Sequence, residues 1–334
     1  MSQPPIDSAQ IAEAARLIRS GRLVAFPTET VYGLGANALD SEAVARIYAV
    51  KRRPATSPLI VHVASTEMAK SLVAVWPETA ERLAEKFWPG PLTLVLPTAS
   101  VPLMVPLMVT AGLPTVALRM PAHPVALALI RAAEVPLAAP SANRFTELSP
   151  TTAEHVRRGL GNEVDLILDG GPCTVGIEST VLSLVDPIPT LLRPGAISRT
   201  QLEALVGPIA SVHEAPTGSH PSPGMHPRHY SPRTSLLLVS GGNLPDQAHG
   251  KGLYLQHRHP PKGGQTHNVN FQATTIQAKT IQMPSTPAEY AAALYHQLHQ
   301  ADEANYAWIA VDLPPQTPDW EAVHDRLSRA ASKL

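Results

Sequence analysis

Phe26-Pro27-Thr28-Glu29-Thr30-Val31-Tyr32-Gly33-Leu34-Gly35-Ala36 begins where an apolar run, Leu23-Val24-Ala25-Phe26, stops in the manner of a buried strand. Pro27 cannot donate to a sheet ladder and so punctuates that strand. Two threonines, a carboxylate and a phenol follow, then Gly33 and Gly35. Polar groups crowded at a strand end, beside glycines that let the backbone bend, suit a ligand crevice of an α/β sheet. A polar loop that merely closes a strand would read the same way, so the neighbouring segments must decide.

Before this stretch, Ser8 to Ser20 carries Ile11, Ala14, Ala15 and Ile18 at helical spacing, and Gly21 ends that helix. After it, Ser41 is placed to cap a second helix with Val44, Ile47 and Tyr48 on one face, running into Lys51-Arg52-Arg53-Pro54. Basic residues at a helix C-terminus complement its dipole, which is one explanation of that cluster. Leu59-Ile60-Val61-His62-Val63 reads as a buried strand whose one polar residue is His62. A helix over Glu78 to Phe87 precedes a proline-fixed turn, Pro89-Gly90-Pro91. Strands are expected at Leu92 to Leu96 and Thr115 to Arg119, the second ending on an arginine suited to gripping a carboxylate or phosphate. A helix from Pro124 to Ala133 leads to Val135-Pro136-Leu137-Ala138-Ala139-Pro140 and the polar group Ser141-Ala142-Asn143. Ser149-Pro150-Thr151-Thr152-Ala153-Glu154 has the capping-box spacing of a helix start, so Ser149 reads either as part of that cap or as part of an anion site. A strand over Val164 to Asp169 is followed by Gly176-Ile177-Glu178-Ser179-Thr180-Val181 and by Leu191-Leu192-Arg193-Pro194-Gly195.

Short strands interleaved with helices indicate an α/β domain with a mixed sheet over residues 1–206. Residues 207–233 are rich in proline, glycine and histidine, lack periodicity and read as a linker. Their histidines match no metal-ligand spacing. Residues 234–334 form a second, smaller α/β unit. Its strands are expected at Leu236 to Val239, Gly252 to Leu255 and Trp308 to Val311, with helices from Thr286 to about Asn305 and from Pro318.

The chain has 334 residues, a formal net charge of −1 and a single cysteine, Cys173. Near-neutrality argues against a general nucleic-acid partner. One cysteine excludes an internal disulfide framework and a cysteine-rich zinc site. The polar, proline-rich Met1 to Asp7 and the shortness of every apolar run lead to the expectation of a cytoplasmic chain without membrane segments.

No P-loop, dinucleotide fingerprint, nucleophile elbow or kinase signature occurs. Basic and polar residues instead stand at strand ends and loop starts: Lys51, Arg53, Arg119 and Arg193, with Ser57, Ser141, Asn143, Ser149 and Ser179. Arginines and hydroxyls without an evident nucleophile suit anion binding and the electrostatic side of phosphoryl or nucleotidyl transfer.

In this order along the chain, Pro27-Thr28-Glu29-Thr30-Val31-Tyr32-Gly33-Leu34, Lys51-Arg52-Arg53-Pro54 with Pro58-Leu59-Ile60-Val61-His62, Pro89-Gly90-Pro91-Leu92-Thr93, Ser141-Ala142-Asn143, Gly176-Ile177-Glu178-Ser179-Thr180-Val181 and Leu192-Arg193-Pro194-Gly195 resemble the YrdC-domain family, the threonylcarbamoyl-AMP synthases. His229-Tyr230-Ser231-Pro232 and the unit after it resemble the longer, two-domain members. The chain departs from the pattern in two places. Arg144-Phe145-Thr146 follows Ser141-Ala142-Asn143 where the family often has glycine, and Met225-His226-Pro227 precedes the His-Tyr pair where basic or aromatic residues are usual.

The resemblance implies a twisted, open mixed sheet with a concave basic face, then a smaller Rossmann-like α/β domain. It implies condensation of L-threonine, bicarbonate or CO2, and ATP to threonylcarbamoyl-AMP and pyrophosphate, the product passing to a tRNA threonylcarbamoyl transferase complex, with room for a weak tRNA contact. Carried over by motif, Thr30, His62, Arg119, Ala139 (through its backbone) and Ser179 would hold threonine. Arg53, Ser57, Thr115, Ser141, Ser149, Arg193 and, as a lid on the linker, Tyr230 would hold ATP. Lys51 and Asn143 would join Arg53 in a charged, polar catalytic face. Mg2+ is expected on the ATP phosphates, with Glu29 and Glu178 as candidate ligands only. Rival readings are an RNA-binding module and a carbamoyltransferase-related protein on the same fold.

Overall fold

A computed structural model describes residues 7–99, 105–211, 229–240, 250–257 and 276–331. The segments 212–228, with most of the expected linker and its Met225-His226-Pro227, lie outside the described residues. The chain divides into two compact units: Met1–Phe145 with Ser149–His226, and Thr146–Leu148 with Pro227–Leu334.

The first unit is built on a ten-stranded mixed sheet. Its strands in chain order are β1 (Val24–Phe26), β2 (Gly33–Asn37), β3 (Ile60–His62), β4 (Leu92–Pro97), β5 (Thr115–Arg119), β6 (Leu137–Ala138), β7 (Leu166–Ile167), β8 (Thr180–Ser183), β9 (Thr190–Arg193) and β10 (Ala210–Ser211). In space they run β10-β9-β8-β4-β5-β3-β6-β2-β1-β7. The stretch expected as loop through Ala36 becomes a strand at Gly33, antiparallel to β1. The glycines are there for proximity: a Cβ on Gly35 would stand 2.7 Å from Phe26 Cε1.

Side-chain alternation sends neighbouring residues to opposite faces. Leu23 and Ala25 enter one core with Val44, Ile47, Leu83 and Val156 from helices, while Val24 and Phe26 enter another with Ile11, Ile18, Leu129 and Ile130. Both faces being covered there, the run is continuously apolar. Further along the sheet the pattern changes. Val61, Leu94, Val116, Leu118 and Leu182 join the first core, but on the other face Ile60, Val95, Ala117, Val181 and Leu192 form a small cluster that contains no helical residue among those described. That face is where the polar residues emerge.

Helix starts differ from expectation by one residue. Asp40, not Ser41, caps the second helix, its Oδ1 accepting from Glu42 N and Ala43 N. Thr152, not Thr151, caps the helix Ala153–Leu160. Ser149 is no cap, and its hydroxyl goes to Glu178 instead.

The second unit carries an all-parallel sheet of β11 (Ser235–Val239), β12 (Gly250–His257), β13 (Ile276–Met283) and β14 (Trp308–Asp312), ordered β11-β14-β12-β13. Strand β13 was not legible, because its polar residues carry no clean alternation. Helix Pro287–Glu303 buries Tyr290, Leu294, Tyr295 and Leu298. A short 3-10 turn at Pro318–Trp320 precedes the last helix, Glu321–Ala331. No helix among the described residues is long and apolar enough to cross a membrane.

Candidate functional site

The loop Pro27–Tyr32 is buried throughout, unusual for a connection, so its backbone must find partners inside the protein. Glu29 O accepts from Val175 N (2.7 Å) and Tyr32 N donates to Pro150 O (2.8 Å). Thr28 Oγ1 donates to Val31 O (2.6 Å), which uses its only proton. Thr30 Oγ1, 2.8 Å from Thr28 Oγ1, must therefore donate to it. Thr30 in turn accepts from Arg119 Nη1 at 2.9 Å.

Arg119 ends β5 with its side chain on the face that lacks helical cover. It is 4% exposed; Nε donates to Gly90 O (3.2 Å), and Nη2 lies 2.6 Å from Glu29 Oε1. The second oxygen of Glu29 accepts from Ala122 N at 3.1 Å. Glu29 thus neutralises and aims the guanidinium. Arg119 Nη2 contacts Glu29 without a well-aligned hydrogen bond, leaving donor capacity on a buried cation. Such a group suits a carboxylate ligand.

His62 stands beside Arg119 across the parallel β3–β5 pairing. Burial first, and the positive charge of Arg119 second, hold its pKa down at about 3. The Ile60 backbone pulls the other way, yet Nδ1 completes no hydrogen bond, and the Ile60 carbonyl is already taken by Ala139 N at 3.0 Å. His62 is therefore a neutral imidazole with an unused buried nitrogen, poised for a ligand. Because the folded pKa lies below the ordinary 6.5, the unfolded chain binds the extra proton first. Stability is full above about pH 6.5 and falls as pH drops toward 3, by about 2 kcal/mol at pH 5. Urea midpoints compared for the wild type and His62→Gln at pH 7.5 and pH 5 should show a shallower loss in the variant; parallel losses would contradict the assignment.

Ser179 and Arg193 form a second group. Arg193 Nε and Nη2 donate to Ser179 O (3.1 and 2.9 Å), Nη2 reaches Ser179 Oγ (3.1 Å), and that hydroxyl is 2.8 Å from Thr93 Oγ1. Ser149 Oγ donates to Glu178 Oε1 at 2.5 Å, a contact buried on both sides.

A third group shapes two loops. Lys51, 1% exposed, donates from Nζ to the carbonyls of Ser141 and Asn143 at 2.5 Å each. Ala142 N donates to Tyr32 O (2.8 Å), tying the same loop to the opening stretch. Arg53 spans Ser57 O (3.4 Å) and Pro58 O (3.1 Å) and lies 5.7 Å from the centre of the Phe145 ring. Thr115 is half-buried at the start of β5, with Arg119 at the other end of the same strand. Four residues of strand separate them by about 13 Å.

Tyr230 belongs to the second unit and is 1% exposed. The partners that sequence reasoning missed are Thr28, Thr93 and the Gly90 carbonyl, together with Glu29 as the counterion of Arg119. A carboxylate between two threonines carries no signal of which strand end it will face. Glu29 is paired with Arg119 and Glu178 accepts from Ser149, and no group of three or more His, Cys, Asp or Glu that could hold a metal occurs among the described residues. Cys173 is buried, and burial pushes its thiol pKa up, which disfavours the nucleophilic thiolate.

Known proteins share this architecture. A Sua5/YciO/YrdC family model, described as "Telomere recombination", matches residues 16–195, and one described as "Threonylcarbamoyl-AMP synthase, C-terminal domain" matches residues 197–332. Threonylcarbamoyl-AMP synthase of Bacillus subtilis is 44% identical over 336 residues, covering 96% of this chain and 93% of its own. The Pyrococcus abyssi synthase is 50% identical over 240 residues, covering 71% and 69%. The crystal structure of P. abyssi Sua5 complexed with L-threonine superposes with a TM-score of 0.85 at 38% identity, covering 98% of this chain and 96% of that one. The chain belongs to the YrdC-domain threonylcarbamoyl-AMP synthase family, in its two-domain form.

Proposed function

We propose that the protein is an L-threonylcarbamoyladenylate synthase that condenses L-threonine, bicarbonate or CO2, and ATP, releasing pyrophosphate. The observation that carries this reading is the buried Arg119, aimed by Glu29 and flanked by Thr30 and a neutral His62, in a chain 44% identical to a threonylcarbamoyl-AMP synthase. Arg119 takes the threonine carboxylate, with Thr30, His62, the Ala139 backbone and Ser179 around the rest of the amino acid. A cation there leaves the amine to capture CO2 as a carbamate. Its oxygen then attacks the α-phosphate and pyrophosphate departs, a displacement that depends on holding two anions in line.

Arg53, Ser57, Thr115, Ser141, Ser149 and Arg193 bind ATP in this reading. Lys51 and Asn143 belong to the same face, and Tyr230, from the linker, is counted among the nucleotide-binding residues in this reading. Mg2+ enters as the counterion of the ATP phosphates, offsetting their charge as the pyrophosphate leaves. The product is an acyl-adenylate that a tRNA threonylcarbamoyl transferase complex would consume in the cytoplasm, with at most a weak direct tRNA contact.

Pyrophosphate release from ATP and bicarbonate, measured with L-threonine, with L-serine and with no amino acid, tests the reading. Release is expected to depend on threonine and to yield an adenylate seen by mass spectrometry. Release indifferent to threonine, or none at all, would overturn it.

A further inference from the structure

Thr93 on β4 is fully buried, and among the described residues the one hydrogen-bond partner of its hydroxyl is Ser179 Oγ at 2.8 Å. It shares a face with Val95, in the cluster that has no helical cover. The β4–β5 register pairs Leu94 with Leu118, and continued by one residue it sets Thr93 opposite Arg119. Thr93 thus lies between the Arg119 group and the Ser179–Arg193 group, all within the first unit.

A hydroxyl has one proton to give and two lone pairs with which to accept. Ser179 Oγ accepts from Arg193 Nη2 (3.1 Å) and shares a second bond with Thr93. That second bond uses one hydroxyl proton of the two, and the other has no acceptor among the described residues. Were Ser179 the donor, the orphan would be the Thr93 proton, shut inside the sheet at the cost of an unsatisfied buried donor. With Thr93 donating, both lone pairs of Ser179 are filled, and its own proton is left over where β8 is about to begin. Thr30 is set the opposite way. Its proton goes to Thr28 and one lone pair to Arg119, so it keeps a lone pair and no proton.

We infer that Thr93 is a positioning residue that fixes Ser179 as a hydrogen-bond donor, so that Ser179 serves an oxygen of the amino-acid substrate. The inference rests on the proposed function and adds to it a polarity. Ser179 can give a proton to an oxygen but cannot accept one from an ammonium. Thr30, beside Arg119, can accept an N–H but has no proton to give. Opposed hydroxyls of this kind admit the amino acid in one orientation, nitrogen toward Thr30 and an oxygen toward Ser179, because the reverse leaves buried groups unpaired. The oxygen is that of the threonine hydroxyl or that of the carbamate formed from its amine.

The test uses the full chain with Thr93→Val, Thr93→Ser, Ser179→Ala and the Thr93→Val/Ser179→Ala pair. Valine keeps the shape of threonine, strands no donor and leaves Ser179 its bond from Arg193. Thr93→Val is expected to lower kcat/KM for threonine about fivefold, the worth of one net hydrogen bond, with the KM for ATP unchanged. Thr93→Ser restores the proton and should recover most of that loss. Once Ser179 is alanine, Thr93→Val should cost nothing further, whereas a merely structural threonine would cost the same in both backgrounds. L-2-aminobutyrate, which lacks the hydroxyl, separates the two oxygens. A loss confined to threonine assigns Ser179 to the substrate hydroxyl, and an equal loss with both amino acids assigns it to the carbamate. An unchanged kcat/KM for threonine, a matching rise in the KM for ATP, additive losses in the double variant, or a Thr93→Ser no better than Thr93→Val would overturn the inference. Normal threonine-dependent release by the wild type with any of those results sinks this inference alone, while a wild type without such release overturns the proposed function and the inference with it.

Discussion

Arg119→Ala is expected to lose threonine use, with kcat/KM for threonine falling about thirtyfold to several thousandfold, the range for truncating a buried charge-paired contact of about 2–5 kcal/mol. The KM for ATP should change far less. The same substitution strands Glu29, which is 7% exposed and loses the cation 2.6 Å away. Breaking a buried pair on one side costs about 3–5 kcal/mol of stability. Activity and folding would thus fail together in the single variant, so the decisive comparison is Arg119→Met with Glu29→Gln. Glutamine keeps an oxygen for the Ala122 amide, now at 3.1 Å, and carries no charge to strand. Most of the stability is expected to return, read as the urea midpoint, while threonine use does not. Equal losses for threonine and ATP in that folded double variant would refute the assignment of Arg119 to the amino acid.

Lys51→Met is expected to have the second-largest effect, and to fall on ATP. The ammonium, at the end of the Ser41–Lys51 helix, donates to the Ser141 and Asn143 carbonyls at 2.5 Å. Methionine fills a similar volume but donates nothing, leaving two acceptors with a lost partner at about 1–3 kcal/mol each where no water replaces it. The loop would stay tethered at Ala142 through Tyr32 O and shift on either side of that tether. A lower melting temperature and weaker binding of a non-hydrolysable ATP analogue by calorimetry are the expected pair of results. Normal stability and nucleotide affinity with lost turnover would show instead that the ammonium acts directly on the reacting phosphates.

Much of the architecture is legible in the residues because local chemistry decides it. Pro124–Ala133 begins on a proline and keeps one apolar face, and the helix has those bounds. Leu23-Val24-Ala25-Phe26 is apolar at every position because helices cover both of its faces. The boundaries that moved did so where two capping residues stood side by side, Asp40 with Ser41 and Thr151 with Thr152, since only the path of the incoming chain selects between them. Gly33 to Ala36 misled for a related reason. Glycines that suggest a bending loop here permit β2 to lie against the Phe26 ring.

Residue type and order alone supply arginines, hydroxyls and one histidine at strand ends and loop starts, in an order that marks the family. Those facts reside in residue type and in period-two alternation, both local. Which partner each group meets depends on the folded chain. It paired Glu29 with Arg119, left His62 neutral beside that cation, turned Lys51 onto two carbonyls and buried Tyr230 beneath Arg326. Glu29 and Arg119 are far apart in the chain, as are Tyr230 and Arg326, and no local rule places them together. Their roles follow from partners and burial, and a charge has neither until the fold has closed around it.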